Sequence, residues 1–187
     1  MKQAMVSGGV VTLSEVPAPL VEPGTVLVRM DHTCISIGTE MSGIKSSGVP
    51  IWKRVLQKPA HVRKVVNMLI SDGLEQTRRV VQDRMALELP TGYSGAGVVI
   101  EVGKGVTTLQ PGDHVSASFV PSCGRCRYCS TGKQNLCDNG AGTLTKGMIT
   151  DGTSRHHVNG EEITVMAGLG TFAEYTVCSE MSLIKVE

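Results

Sequence analysis

Aromatic residues make up only 3% of this sequence of 187 residues, and it contains no run of about 18 apolar residues. Few aromatics argue against a surface that stacks nucleic-acid bases, and without a long apolar run we expect no membrane span. The net charge of +1 also argues against a nucleic-acid surface spread over the molecule. The N-terminal segment lacks the apolar core of a secretory signal peptide, so we expect a cytoplasmic location.

The remaining composition is that of an ordinary globular protein, with 41% hydrophobic and 19% charged residues. The length suffices for one full domain with a real core. Six cysteines without a secretion signal are read as free thiols or metal ligands before disulfides.

Strand-like segments flank a helical one. Residues 1 to about 43 predict strands, with a hairpin turn at Gly8-Gly9. Residues of about 44–88 predict a helical insertion, because apolar residues recur at helical spacing along 62–70 and a second helical pattern ends at Pro90. After Pro90 the predicted strands lie within 95–103, 109–119, 171–180 and 182–187, and 145–162 reads as a polar connection.

Four cysteines lie close together in a polar segment of about 121–140. Their spacing is C-x2-C-x2-C-x7-C, at Cys123, Cys126, Cys129 and Cys137. Zinc takes four thiolates in a tetrahedron without an open coordination position, so the spacing predicts a structural zinc rather than a Lewis acid. Nearby cations would offset the surplus negative charge of the thiolates. Two alternatives are a pair of disulfides, which a cytoplasmic location argues against, and a redox switch.

The segments "GAGVVIEVGKGV", "VTTLQPGDHVSAS", "SCGRCRYCSTGKQNLC" and "GTFAEYTV" resemble, in content and order, the N-terminal GroES-like domain of zinc-containing medium-chain alcohol dehydrogenases. The resemblance covers residues 1 to about 43 and 89–187. It implies a mainly β fold, a GroES-like partial β-barrel over 1–187 with a zinc lobe and a helical insertion. The "IGTE" segment and the helices around it also resemble a branch with a fused sugar-oxidoreductase module, which implies a sugar-derived substrate.

In the family that the sequence resembles, a second zinc performs the chemistry. Its ligands come from a Cys-Gly-Thr/Ser-Asp motif and a Gly-His-Glu motif. Aligning "IGTE" and "GYSG" with these motifs places Ile37 and Tyr93 at the ligand positions, and neither residue is a good zinc ligand. The resemblance instead implies Thr39 as a hydroxyl on a proton path and Tyr93 as a general acid.

Three further residues near these motifs are read as structural. Cys34 lies three residues before Ile37, so on a strand it would face the opposite side, and we expect it to be a small buried hydrophobe. His32 and His114 are expected to be strand-end or surface histidines.

A dehydrogenase of this kind also needs a Rossmann domain. Gly168-x-Gly170-x-x-Ala173 mimics a dinucleotide fingerprint, but that motif requires a helix, a second strand and an acid about 20 positions later. Only seventeen residues follow Gly170, and they begin with a strand-like segment. We therefore expect no Rossmann domain and no cofactor site in this chain. NAD or NADP would be bound by a Rossmann-type domain that is supplied by a partner polypeptide or is missing because the reading frame is truncated. A homo-oligomer is the other partner considered.

The leading hypothesis is the substrate-side domain of an oxidoreductase acting on an alcohol or carbonyl compound, inactive without its cofactor domain. One alternative is a non-enzymatic, zinc-stabilised binding or assembly module that uses the helical insertion as its contact surface. Another is a redox sensor built on the four thiolates.

Overall fold

The computed structural model describes residues 1–49, 70, 73–74, 89–140, 153–158 and 161–187. These residues are mainly β, which confirms the predicted fold class. The strands are β1 (Lys2–Ser7), β2 (Val10–Glu15), β3 (Thr25–Thr33), β4 (Leu89–Pro90), β5 (Gly95–Val102), β6 (His114–Ala117), β7 (His156–Val158), β8 (Glu161–Ile163), β9 (Tyr175–Ser179) and β10 (Leu183–Val186). One α-helix, α1, spans Ile37–Ser47. No helix in the described ranges is both long and apolar enough to cross a bilayer.

A five-stranded antiparallel sheet, in the order β10-β6-β5-β3-β9, carries the main core. Successive side chains of a strand point to opposite faces, so one face can be apolar while the other is solvated. Val26 and Val28 of β3, Val99 of β5 and Val115 of β6 are at most 1% exposed and pack together with Leu109. Burial of this β-branched cluster holds the sheet together.

A three-stranded sheet, β2-β1-β4, contains the predicted hairpin. Gly8 and Gly9 both have positive φ angles, 58° and 85°. Glycine adopts this conformation without steric cost, and such two-residue turns match the twist of the adjoining strands. The prediction of a turn at Gly8-Gly9 is thereby confirmed.

The segment read as a polar connection contains a short hairpin. β7 pairs with β8 so that His156 lies opposite Ile163. Both side chains are buried, and Ile163 joins Met5 and Val16 in a second apolar cluster. Strands of three residues in a polar segment give too little alternation to be found from sequence.

The chain divides into two compact units, Met1–Met5, Leu13–Ser36 and Leu89–Glu187 in one, and Val6–Thr12 with Ile37–Glu88 in the other. Within the second unit, Gly9 N–H donates to Ser47 Oγ at 2.9 Å. Helix α1 begins at Ile37, seven residues before the boundary of about 44 predicted for the helical insertion. Most of the predicted insertion lies outside the described residues.

Candidate metal centre and catalytic residues

The cysteine lobe, residues 121–140, brings the four predicted metal ligands together. Their Sγ atoms all lie within 4.8 Å of one another, and those of Cys126 and Cys137 are 4.0 Å apart. Two short 3-10 turns, Cys129–Thr131 and Gln134–Leu136, fold the segment back on itself. The first turn ends at Gly132, whose φ of 79° is the left-handed conformation that ends such turns. In the described ranges, this is the only group of three or more potential ligands so arranged.

Backbone N–H groups and burial set the charge state of the thiols. The Cys129 N–H donates to Cys126 Sγ at 3.5 Å, and this bond with that from Asp138 lowers the pKa of Cys126 to about 6. The N–H of Arg125 lowers the pKa of Cys123. Burial raises the pKa of the Cys129 thiol to about 11. N–H groups therefore already favour thiolates at two of the four positions, as a metal site requires.

The base of the lobe is fastened to the turn Glu180–Ser182 between β9 and β10, and the first and last residues of the lobe touch there. Ser122 N–H donates to Met181 O at 3.0 Å. A Cβ on Gly140 would lie 2.1 Å from Pro121 O, so the two ends of the lobe touch where only glycine fits. Arg127 pairs with Asp138 at 3.3 Å across the lobe surface.

The donor set fits a four-coordinate soft cation. Zinc–sulfur distances of about 2.3 Å in a tetrahedron place the sulfurs about 3.8 Å apart. The sulfurs of the lobe lie within 4.8 Å of one another, and those of Cys126 and Cys137, at 4.0 Å, are close to that value. Four protein ligands fill the coordination shell. Such an ion would support the lobe and would have no coordination position open to a substrate.

Tyr93 lies in a fixed segment between β4 and β5. Thr171 N–H donates to Gly92 O at 3.0 Å, and Cys34 N–H donates to Ser94 O at 3.1 Å. The Tyr93 ring meets the Phe119 ring edge to face, with centroids 5.5 Å apart. The backbone on both sides of Tyr93 is therefore held, and its half-buried ring is oriented by a neighbour.

Thr39 and Ile37 lie in the first turn of α1. Ile37 is 77% exposed and offers no donor atom to a metal, and Thr39 is exposed as well. Both belong to the second unit, whereas Tyr93 belongs to the first. The structure leaves the predicted catalytic roles of Thr39 and Tyr93 as predictions.

Glu40, a buried acid in the first turn of α1, was not indicated by the sequence motifs. Its side chain is 8% exposed, burial raises the pKa of its carboxyl, and Oε1 has no hydrogen-bond partner within the described residues. The sequence signal was an acid in the first turn of a helix that Ser36 precedes, the position at which serine is favoured as an N-cap.

The exposure of Cys34 differs from the prediction that its side chain is buried. It is exposed, not buried, and it lies between β3 and α1, so the argument from strand alternation does not apply to it. His32, near the end of β3, and His114, at the start of β6, are exposed, in agreement with their reading as strand-end or surface residues.

The glycines of the fingerprint-like segment, 168–173, do not begin a helix. Met166–Gly168 is a 3-10 turn, and β9 follows it.

Comparison with known proteins finds similarity to alcohol dehydrogenases and related dehydrogenases. The family profile described as "Alcohol dehydrogenase GroES-like domain" matches residues 64–187. An "NDMA-dependent alcohol dehydrogenase" of Amycolatopsis methanolica is 52% identical over 96 residues, which are 51% of this chain and 26% of that protein. An "S-(hydroxymethyl)glutathione dehydrogenase" of Photobacterium damsela subsp. piscicida is 50% identical over 95 residues, with the same coverage. The matched stretch thus spans about a quarter of these relatives.

Solved structures match the whole chain at lower identity. The benzyl alcohol dehydrogenase of Acinetobacter calcoaceticus aligns with a TM-score of 0.65 and 21% identity, covering 100% of this chain and 41% of that one. An "Alcohol dehydrogenase zinc-binding domain protein" of Burkholderia ambifaria aligns with a TM-score of 0.64, 23% identity and the same coverage. At this identity the likeness establishes the fold.

Proposed function

The chain belongs to the alcohol dehydrogenase GroES-like domain family, and from that premise we propose that it is the substrate-side domain of an oxidoreductase that interconverts an alcohol and a carbonyl compound. The match of the family profile over residues 64–187 carries this proposal. The second resemblance, of the "IGTE" segment, supports a sugar-derived substrate. Fold alone does not define activity, so the remaining argument rests on the site.

The four cysteines of the lobe hold one structural zinc ion. Four thiolates and Zn²⁺ carry a net charge of −2, and Asp138 adds −1. Arg125, Arg127 and Lys133 of the lobe supply +3, so the loaded lobe is neutral overall. This balance removes the cost of four thiolates in a small loop and favours the metal-bound state.

The chemistry proceeds without a protein-bound catalytic zinc in this chain. Ile37 and Tyr93 occupy the two positions where the family places zinc ligands, and an exposed isoleucine side chain offers no lone pair. The Tyr93 hydroxyl takes the place of the metal by donating a hydrogen bond to the carbonyl oxygen as negative charge develops there. For Thr39, which belongs to the second unit, the family resemblance alone supports a role as a hydroxyl on a proton path.

The nicotinamide cofactor, NAD or NADP, is bound by a Rossmann-type domain outside these 187 residues. Dinucleotide binding needs a glycine turn after a strand and a helix N-terminus facing the pyrophosphate. The nearest match, at 168–173, leads into β9 instead of a helix. The hydride therefore comes from a cofactor held opposite this domain.

The domain organisation is that of one GroES-like domain, 1–187, interrupted by a helical insertion. Because the five-stranded sheet and the lobe are built from residues outside 46–87, replacing those residues by a short linker should leave a folded domain that binds one zinc. Loss of folding in this deletion variant would mean that the helices belong to the main core.

The test is cofactor binding and turnover with and without the partner. We expect no saturable binding of NAD(H) or NADP(H) by the 187 residues in calorimetry, and alcohol oxidation once the cofactor-binding polypeptide that co-purifies from the source is added. In that complex, Tyr93→Phe should lower kcat by about 10²-fold with little change in cofactor affinity. Tyr175→Phe, also half-buried, is the matched control. Micromolar NAD(H) binding by the chain alone would contradict the account.

A further inference from the structure

The closing point of the cysteine lobe is an Asn-Gly pair. Asn139 is exposed, whereas Gly140 is buried. The Gly140 N–H donates to Cys137 O at 3.1 Å, and the Gly140 Cα lies so close to Pro121 that an added Cβ would be 2.1 Å from the Pro121 carbonyl oxygen. The backbone immediately after the last metal ligand is therefore fixed from two sides.

Asn-Gly pairs have a chemistry of their own. The backbone nitrogen of the glycine loses its proton and attacks the Cγ of the asparagine side chain, forming the N–Cγ bond of a five-membered succinimide. The Cγ–Nδ2 bond breaks and ammonia leaves with the proton. Water then adds to either carbonyl of the ring and opens it to aspartate or isoaspartate, with no oxidant or reductant. Glycine favours the reaction because no Cβ hinders the attacking nitrogen and its backbone is free to rotate.

We infer that Asn139 is a deamidation site that the closed lobe protects and that loss of the metal exposes. In the closed lobe, the attacking nitrogen is occupied as a donor to Cys137 O, and Gly140 is held against Pro121. Both restraints depend on the Cys137 segment staying in place, and the Cys137 thiolate is a proposed zinc ligand. The inference thus rests on the zinc site proposed above. Opening of the lobe releases the Gly140 nitrogen, and the reaction proceeds as in an unfolded peptide.

The product prevents the lobe from closing again. Isoaspartate inserts one extra methylene into the backbone between residues 139 and 140. The close approach at Gly140 leaves no space for a longer backbone, because even a Cβ added there would lie 2.1 Å from Pro121 O. Deamidation therefore converts a reversible loss of metal into a permanent one. Ordinary aspartate at 139 adds the same charge without the methylene and leaves the closure possible.

The test follows deamidation with and without metal. The full chain is loaded with zinc or stripped by a chelator, kept reduced, and incubated at neutral pH. After tryptic digestion, Asn139 lies in the peptide 134–146 and a second Asn-Gly pair, Asn159-Gly160, lies in 156–185. Mass spectrometry and chromatography quantify isoaspartate in both peptides, and bound zinc is measured on the same samples. Asn159 reports the general rate of the reaction.

With free zinc at about 100 times its Kd, the closed lobe is favoured about 100-fold, so the ratio of isoaspartate at 139 to that at 159 should fall by at least about 10-fold on loading. The purified isoaspartate form should then fail to rebind zinc, whereas Asn139→Asp should bind it as the unmodified chain does. An equal ratio with one zinc bound overturns this inference alone. A chain that binds no zinc overturns the zinc site, and the inference with it. Normal rebinding by the isoaspartate form refutes the step that makes metal loss permanent.

Discussion

Acid should destabilise the folded chain through one buried histidine, His156 of β7. Its ring is 3% exposed, and neither ring nitrogen makes a hydrogen bond of good geometry within the described residues. Burial lowers the pKa of His156 from 6.5 to about 4, and a backbone group of Val177 opposes only part of the shift. The neighbouring polar groups are the half-buried His157, which lowers the pKa further, and the Ser154 hydroxyl, which accepts from the His156 backbone N–H at 3.3 Å.

The sign and the magnitude follow from proton linkage. Above pH 6.5 the ring is neutral in both the folded and the unfolded chain, so it has no pH-dependent effect. As the pH falls towards 4, the unfolded chain gains a proton that the folded chain does not, and the free energy of unfolding decreases. The full difference between the two pKa values corresponds to about 3 kcal/mol, of which about 1 kcal/mol is lost by pH 5.5.

Urea denaturation at pH 7.5, 6.5 and 5.5 measures this effect. Between pH 7.5 and pH 5.5, the free energy of unfolding should fall by about 1 kcal/mol less for His156→Leu than for the unaltered chain. Both chains contain the cysteine lobe, so the effect of its protonation cancels when their free energies of unfolding are subtracted. His157→Leu keeps the buried ring and should retain the acid loss. Parallel pH profiles for the unaltered chain and His156→Leu would refute the reasoning.

Two further substitutions test how loops are fastened to the sheets. Gly103→Ala would place a Cβ 1.8 Å from Glu22 O, so it should lower the free energy of unfolding by about 1–3 kcal/mol or more in thermal or urea unfolding. Gly43→Ala, in open space on α1, should raise it by up to about 1 kcal/mol. Equal effects would contradict the close approach at Gly103. Glu180 Oε1 accepts hydrogen bonds from Thr107 N, Thr108 N and Thr108 Oγ1 at 2.9, 2.8 and 2.6 Å. Glu180→Gln should therefore lower the free energy of unfolding by about 1 kcal/mol, whereas Glu101→Gln, at an exposed position, should have little effect. Equal effects of the two substitutions would argue against a stabilising role of these three hydrogen bonds.

The parts of the fold that sequence predicted well are those with a strong local signal. Two adjacent glycines can both adopt the positive φ angles that a two-residue hairpin turn requires, and the predicted turn is present. Four cysteines at short fixed spacing can converge in a small loop whatever the rest of the chain does, and their sulfurs do converge. Strands β5, β6, β9 and β10 lie within the segments predicted for them.

The features of the fold that the sequence did not predict depend on contacts with other parts of the chain. Helix α1 begins at Ile37, directly after Ser36, a residue type favoured at the N-cap. In the sequence, this local signal is outweighed by the β-like residues around it. The pairing of β7 with β8 needs the apolar cluster that takes in Ile163. Cys34 was expected to be buried from its residue type, but exposure depends on what packs over a position, which a single residue does not encode.

The most direct test of the account is the number of zinc ions that the purified chain holds. We expect about one per chain by elemental analysis, held by the four thiolates of the lobe. Cys123→Ser should lose the ion, and Cys34→Ser, a matched change at an exposed cysteine outside the lobe, should keep it. A chain without zinc after expression in zinc-replete, reducing conditions would contradict the structural site. Two tightly held zinc ions per chain would contradict the proposal that Ile37 and Tyr93 leave this domain without a catalytic metal.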